Sequence, residues 1–257
     1  MIIDAHMHLG VIAGVYNYDT ETDSLLDTMD RLGIGFALSS HNYAIGWGNL
    51  VLGAELSIQS YYDTSGRIVS YHVYDPRDSR ESIKIMEQYH DPKIFRGIKI
   101  HPSFHYTDAS DERYRPVYEW ARTRKLPILT HSWTLSQTNP KQKYSLPSAF
   151  EKYIIEYPDV TLILGHSGGR YRGICEAVQL GQKYPNVMFD TAGDIHISDL
   201  VEYLVDSVGD DRVLYGSDYS MMDQRTMLGA VIGASIPYPS KEKILCGNAL
   251  RIFGLSG

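Results

Sequence analysis

Near the amino terminus His6 and His8 are separated by one residue, and extended side chains alternate faces, so Asp4, His6 and His8 are read as pointing one way and Met7 the other. Two imidazoles on one face can bind one divalent cation, although ordinary polar residues show the same spacing. Three further residues add weight: His131 in Pro-Ile-Leu-Thr-His, His166 in Leu-Ile-Leu-Gly-His and Asp218 in Leu-Tyr-Gly-Ser-Asp each end a short apolar run. Neutral imidazoles with one carboxylate form a nitrogen and oxygen donor set that suits one Zn²⁺, with Mn²⁺, Fe²⁺ or Co²⁺ also compatible.

The elements that must position these residues follow from the hydropathy pattern. Short β-branched runs at 2–6, 35–39, 68–73, 95–100, 127–131, 161–166, 187–191 and 213–217 alternate with amphipathic segments at 24–32, 50–62, 80–89, 113–124, 147–157, 171–184, 197–208 and 222–233, and a final helix at 241–253 closes the chain. Ser82 and Ser198 sit early in their helices and read as caps. Eight strand-then-helix repeats in about 250 residues predict an α/β fold, a single (β/α)8 TIM barrel over 1–257 with an extra C-terminal helix. A doubly wound open sheet would favour a Gly-rich turn after the first strand, where Asp-Ala-His-Met-His-Leu-Gly stands instead. In a barrel the carboxyl ends of the strands ring one mouth, so the histidines and Asp218 are expected to meet there.

Composition removes other classes. The 257 residues carry 24 Lys and Arg against 31 Asp and Glu, a net charge of −7 that argues against a general nucleic-acid binder. Cys175 and Cys246 match no metal spacing and read as reduced thiols. With no signal-peptide pattern and no apolar run long enough to span a membrane, the protein is expected to be cytoplasmic. The polar stretch at 132–146 is a candidate pocket rim.

The stretches Ile3-Asp4-Ala5-His6-Met7-His8, Gly97-Ile98-Lys99-Ile100-His101-Pro102, Gly165-His166-Ser167-Gly168-Gly169, Gly216-Ser217-Asp218 and Ile244 to Gly254 appear in an order that resembles the amidohydrolase superfamily. The resemblance is to the amidohydrolase-related branch that includes aminocarboxymuconate semialdehyde decarboxylase and many TIM-barrel metal-dependent hydrolases. It implies that His6, His8, His131 and Asp218 bind a metal, that His166 contacts or activates its water, and that Asp218 and His166 are catalytic. Lys99 falls where binuclear relatives carry a carboxylated lysine; it reads equally as a cation for an acidic substrate or as a structural ion pair. His101 reads as a weak ligand, a substrate donor or a rim residue. Trp133, Arg170 and Tyr219 are substrate-binding candidates, and Trp47, Tyr171, Arg172 and Met222 also follow strand ends. Asp190 and Asp194 read as acceptors holding a histidine or as turn formers.

The leading expectation is a metal-dependent hydrolase of a small carbonyl compound, an amide, lactone or ester, using metal-activated water. The alternative is a metal-dependent non-oxidative decarboxylase with the same ligands. Decarboxylases of the branch are generally longer, which tilts the expectation toward hydrolysis. TatD-type nucleases would carry an acidic ligand in place of Lys99, and histidinol-phosphatase-type domains an Asp-X-His pair where Asp218 is followed by Tyr219. A non-catalytic ligand-binding barrel is the reading from another class. With so little chain left over, the pocket is expected to be open, to take a small molecule, and to be one that a second copy of the chain in a homo-oligomer could complete.

Overall fold

The computed structural model describes residues 1–12 and 22–255. Eight strands, β1 (Ile2–Leu9), β2 (Ile34–His41), β3 (Ile68–Val73), β4 (Phe95–Ile100), β5 (Ile128–His131), β6 (Leu162–Gly165), β7 (Val187–Asp190) and β8 (Val213–Leu214), pair in parallel and in chain order. Strands this short and this uniformly buried suit a parallel sheet covered on both faces. The main covering helices are α1 (Thr22–Leu32), α2 (Leu50–Asp63), α3 (Ser79–Tyr89), α4 (Arg115–Arg124), α5 (Glu151–Glu156), α6 (Tyr171–Lys183), α7 (Leu200–Val208) and α8 (Gln224–Gly233). The result is a nearly closed (β/α)8 barrel.

Several element ends differ from the sequence reading. The cap of α3 is Asp78, whose carboxylate accepts from Glu81 N at 3.0 Å, while Ser82 donates to the Asp75 carbonyl at 2.9 Å. Ser198 does not cap α7 either, because the helix starts at Leu200 after Asp199 takes a left-handed φ of 57°. The terminal helix is present but starts earlier, at Tyr238, and runs to Phe253 as α9 (Tyr238–Glu242), a π turn (Lys243–Gly247) and α10 (Asn248–Phe253), with right-handed helical backbone at each junction.

One irregularity in β1 bears on function. Asp4 pairs with Ala37 and Met7 with Ser39, so three steps along β1 match two along β2, the signature of a bulge. A one-residue slip exchanges the two faces of a strand. Ile3 and Ala5 therefore face the barrel interior with Leu38, Val69 and Leu129, whereas Met7 and Leu9 face outward into the layer shared with the helices. His6 and His8 point inward and Asp4 does not, so simple alternation misplaced Asp4. The bottom of the interior is sealed by Ala249 and Phe253, the latter edge-on to Tyr71 at 5.8 Å.

The seam between β8 and β1 also departs from a regular ladder. Ala5 N donates to the Tyr215 carbonyl at 2.9 Å, but the Ala5 carbonyl is taken from across the barrel by the Tyr71 hydroxyl at 2.6 Å. Beyond Leu214 the chain leaves strand geometry three residues earlier than expected and continues beside β1 through single contacts, among them Asp218 N to the His6 carbonyl at 2.8 Å. Among the described residues no helix is long and apolar enough to cross a membrane.

Candidate metal centre

His6 and His8 enter the mouth from β1, and each has one ring nitrogen committed. His6 Nδ1 donates to Asp190 Oδ2 at 2.8 Å, and His8 Nδ1 lies 3.1 Å from both the carbonyl and the hydroxyl of Ser40. Donation from Nδ1 leaves a lone pair on each Nε2. Those two nitrogens lie 3.8 and 3.2 Å from Asp218 Oδ1, a buried oxygen with no hydrogen-bond partner among the described residues. Three electron-pair donors thus converge with only the Lys99 ammonium, 2.8 Å from His6 Nε2, set against them among the described residues, an arrangement that a divalent cation satisfies.

The electrostatics agree. Burial, reinforced by Lys99, pushes the His6 imidazole well below its ordinary range and lowers His8 as well, which keeps both neutral. Burial by itself would raise the Asp218 carboxyl, but the surrounding His166, His8 and His6 outweigh it and hold the group ionised below the usual carboxylate range. Neutral imidazoles and an ionised carboxylate are the protonation states metal ligation needs.

Close backbone approaches make room for His6. A Cβ at Gly216 would stand 2.8 Å from His6 Cβ, and one at Gly165 would stand 2.6 Å from the Thr130 carbonyl oxygen and 3.1 Å from His6 Cε1. Asp190 fastens the far side: its Oδ1 accepts from His166 N at 2.7 Å and Ala192 N at 3.1 Å, so one carboxylate orients two histidines. It is an acceptor holding histidines, as one of its two readings had it. His166 Nδ1 donates to the Ala192 carbonyl at 3.0 Å, which leaves Nε2 for the cavity that His166 lines.

The other candidates lie around this set or away from it. Lys99 is fully buried at the cavity base with Nζ 2.8 Å from His6 Nε2, and burial lowers its ammonium to about 8 against the opposing pull of Asp218 and Asp190. His131 lines the cavity, but its Nε2 lies 2.8 Å from Gln142 Oε1, which makes that nitrogen a donor and leaves His131 outside the converging set. His101 stacks on His131 at 4.2 Å, and Trp133 lies parallel to His131 at 5.8 Å. Arg170 sits 4.9 Å above Trp133 and pairs with Asp194 at 2.8 Å.

Tyr219 is a correction. It is buried in the outer core and borders a separate recess with Arg31 and Gln224, because the chain reverses at Asp218, where φ is 64°, and sends the next side chain away from the mouth. Trp47 and Tyr171 are exposed, and neither they nor Arg172 and Met222 line the cavity.

The cavity has a volume of about 680 Å³. Sequence reading missed Asn42, Ser103 and Phe104 on its wall, and within the polar stretch at 132–146 it did not single out Asn139, Lys141 or Gln142. Asn42 follows β2 directly, so the strand-end rule that found His131 would have found it too.

A family profile described as Amidohydrolase matches residues 3–255. Solved structures with the same fold include 2,6-dihydroxybenzoate decarboxylase from Rhizobium, at 14% identity and TM-score 0.80, covering 100% of this chain and 99% of that one. A dihydroxybenzoic acid decarboxylase from Polaromonas sp. JS666, with bound manganese and the inhibitor 2-nitroresorcinol, aligns at 14% identity and TM-score 0.73 over 99% of this chain and 97% of that one. The 4-oxalomesaconate hydratase of Rhodopseudomonas palustris aligns at 17% identity and TM-score 0.69 over 99% and 96% of the two chains.

Proposed function

Because this chain belongs to the amidohydrolase family, we propose that it is a metal-dependent enzyme that removes carbon dioxide from a small carboxylic acid without oxidation. The observation that carries this reading is the charge of the cavity. Among the described residues its wall holds three cationic side chains, Lys99, Lys141 and Arg170, against two carboxylates, Asp194 and Asp218, in a chain whose net charge is −7. Asp194 is already paired with Arg170. A divalent ion beside Asp218 makes the base more positive still, which selects for an anionic substrate.

His6, His8 and Asp218 would hold the ion, with His131 completing the set in exchange for its Gln142 contact. When bound, the ion supplies Lewis acidity that polarises a substrate oxygen. With His6 Nδ1 held by Asp190, its remaining lone pair is the one Lys99 now takes; with that nitrogen given to an ion, the Lys99 ammonium would be available to the substrate carboxylate. Asp218 is ionised and must receive a proton before giving one, and His166 Nε2, whose lone pair is left for the cavity, would take that proton from solvent and hand it on. In the overall change the bond from carbon to carboxylate breaks, its electron pair takes the proton, and carbon dioxide leaves.

Hydrolysis of an amide, lactone or ester is the second reading, favoured by the description of the family profile. A panel of small carboxylic acids, amides, lactones and esters in ¹⁸O-labelled water separates the two. Carbon dioxide release with no label in the organic product is expected, and a cleaved product carrying solvent oxygen overturns decarboxylation. Chelation should abolish turnover, and Zn²⁺, Mn²⁺, Fe²⁺ or Co²⁺ added singly should restore it to different extents.

A further inference from the structure

We propose that Asp4 is the positioning residue that sets the Asp218 carboxylate against His6 and His8, by clasping the seam where β8 and β1 share no strand ladder among the described residues. The proposal rests on the metal reading above for its purpose, though not for its geometry.

The geometry begins at Ala5. A regular parallel pairing would give the Ala5 carbonyl to Ser217 N, but that carbonyl accepts from the Tyr71 hydroxyl at 2.6 Å. Ser217 N turns instead to Asp4 Oδ1 at 3.0 Å, and to the His6 carbonyl at 3.2 Å. The bulge in β1 is what makes this acceptor available, since it turns Asp4 out of the interior and into the seam.

The second oxygen of Asp4 extends the clasp. Ser217 Oγ donates to Asp4 Oδ2 at 2.5 Å, and Gln224 Nε2, at the start of α8, donates to the same oxygen at 3.1 Å. Having given its proton to Asp4, Ser217 Oγ accepts from Tyr219 N at 3.0 Å. The residues on both sides of Asp218 are thus tied to one buried carboxylate.

Asp218 needs such a tie. Its φ of 64° is a left-handed conformation, costly for a residue with a side chain unless its surroundings impose it. Asp4 is fully buried and is not on the cavity wall, so it acts on the reaction through the residues it holds, Asp218 by way of Ser217 and Tyr219, and His6, whose backbone N donates to Asp4 Oδ1 at 3.2 Å. An Asn at position 4 keeps the shape but replaces one acceptor oxygen with a donor NH₂ facing the Ser217 and Gln224 donors.

The test uses metal-stripped full-length protein, with calorimetric titration of Mn²⁺ or Zn²⁺ and amide exchange read at Asp218 and Tyr219. Asp4→Asn should weaken ion affinity by about 10 to 100-fold, the usual range for residues that orient ligands, and should speed exchange at both amides in the metal-free state. Phe253→Ala, which destabilises the far end of the barrel, should change neither readout at the same distance below its own melting temperature. Wild-type affinity and exchange in Asp4→Asn, or an equal loss in Phe253→Ala, overturns the clasp. Should Asp4→Asn fail to fold, Ser217→Ala removes the bridging hydroxyl and is read in the same way. A wild-type protein that takes up neither ion overturns the metal reading, while exchange in metal-free protein still decides the clasp.

Discussion

The two ends of the barrel interior are built from the same eight strands and handle polarity in opposite ways. At the amino-terminal end Ile3, Leu38, Val69, Leu129, Ile163 and Leu214 pack against Ala249 and Phe253, with apolar atoms meeting apolar atoms. At the carboxyl-terminal end the same strands deliver His6, His8, Lys99, His131 and Asp218, all buried and all polar. Burying such groups is costly unless each finds a partner, and Asp190, Ser40 and Gln142 supply several. Asp218 Oδ1 is left over. One end secures the fold, and the other holds an electrostatic deficit that a bound ion removes.

If that division is right, variants at the two ends should separate chemistry from stability. The largest effect belongs to the mouth. His6→Ala combined with His8→Ala should abolish ion binding, measured by elemental analysis after dialysis, while Asp218→Asn should keep most of the ion and lose roughly 10² to 10⁴-fold in kcat. Full activity in metal-free protein would remove the basis of the comparison.

Next is the plug. Phe253→Ala should cost about 3 to 5 kcal/mol in denaturant unfolding, the usual price of truncating a buried aromatic ring, and leave kcat/KM close to wild type where the protein is folded. A comparable loss of kcat/KM in folded Phe253→Ala would show that the two ends are coupled.

Lys99→Met sharpens the comparison within the mouth. It removes the cation that shares His6 Nε2 with the ion, so ion affinity should hold or rise, while KM for a carboxylate substrate should rise by roughly 10-fold or more. Loss of the ion in this variant would point to the carboxylated-lysine reading of Lys99.

The smallest effect is on acid stability. Burial lowers His105 to about 4 from an ordinary 6.5 and does the same to His41, so the unfolded chain takes up protons first as pH falls. Stability from these groups is complete above the ordinary imidazole range and is lost as pH falls from 6.5 toward about 4. His105→Gln should flatten the dependence of melting temperature on pH in that window by at most one proton, about 1.4 kcal/mol per pH unit. An unchanged slope would assign acid sensitivity to the mouth histidines.

Much of this was legible in the chain. The eight strands appeared as short β-branched runs and the helices as amphipathic segments, since both patterns are local and are imposed by burial on one face or two. Strand-end positions singled out His131, His166 and Asp218 because in a barrel all such positions converge. Tyr219 was misjudged by the same rule, which takes no account of a reversal at Asp218.

By itself, the sequence determined the repeat of strand and helix, the family, and the residue types at the mouth, because periodicity and composition act over a few residues. Tertiary structure alone decided the direction of Asp4, the partner of His131 and the separation of Asp218 from the two β1 histidines. Each depends on a group distant in sequence: the Tyr71 hydroxyl that takes the Ala5 carbonyl, the Gln142 amide that engages His131, and the Asp4 carboxylate that ties Ser217 across 213 positions. Such contacts are set by how the barrel closes, and no local pattern in the chain encodes that closure.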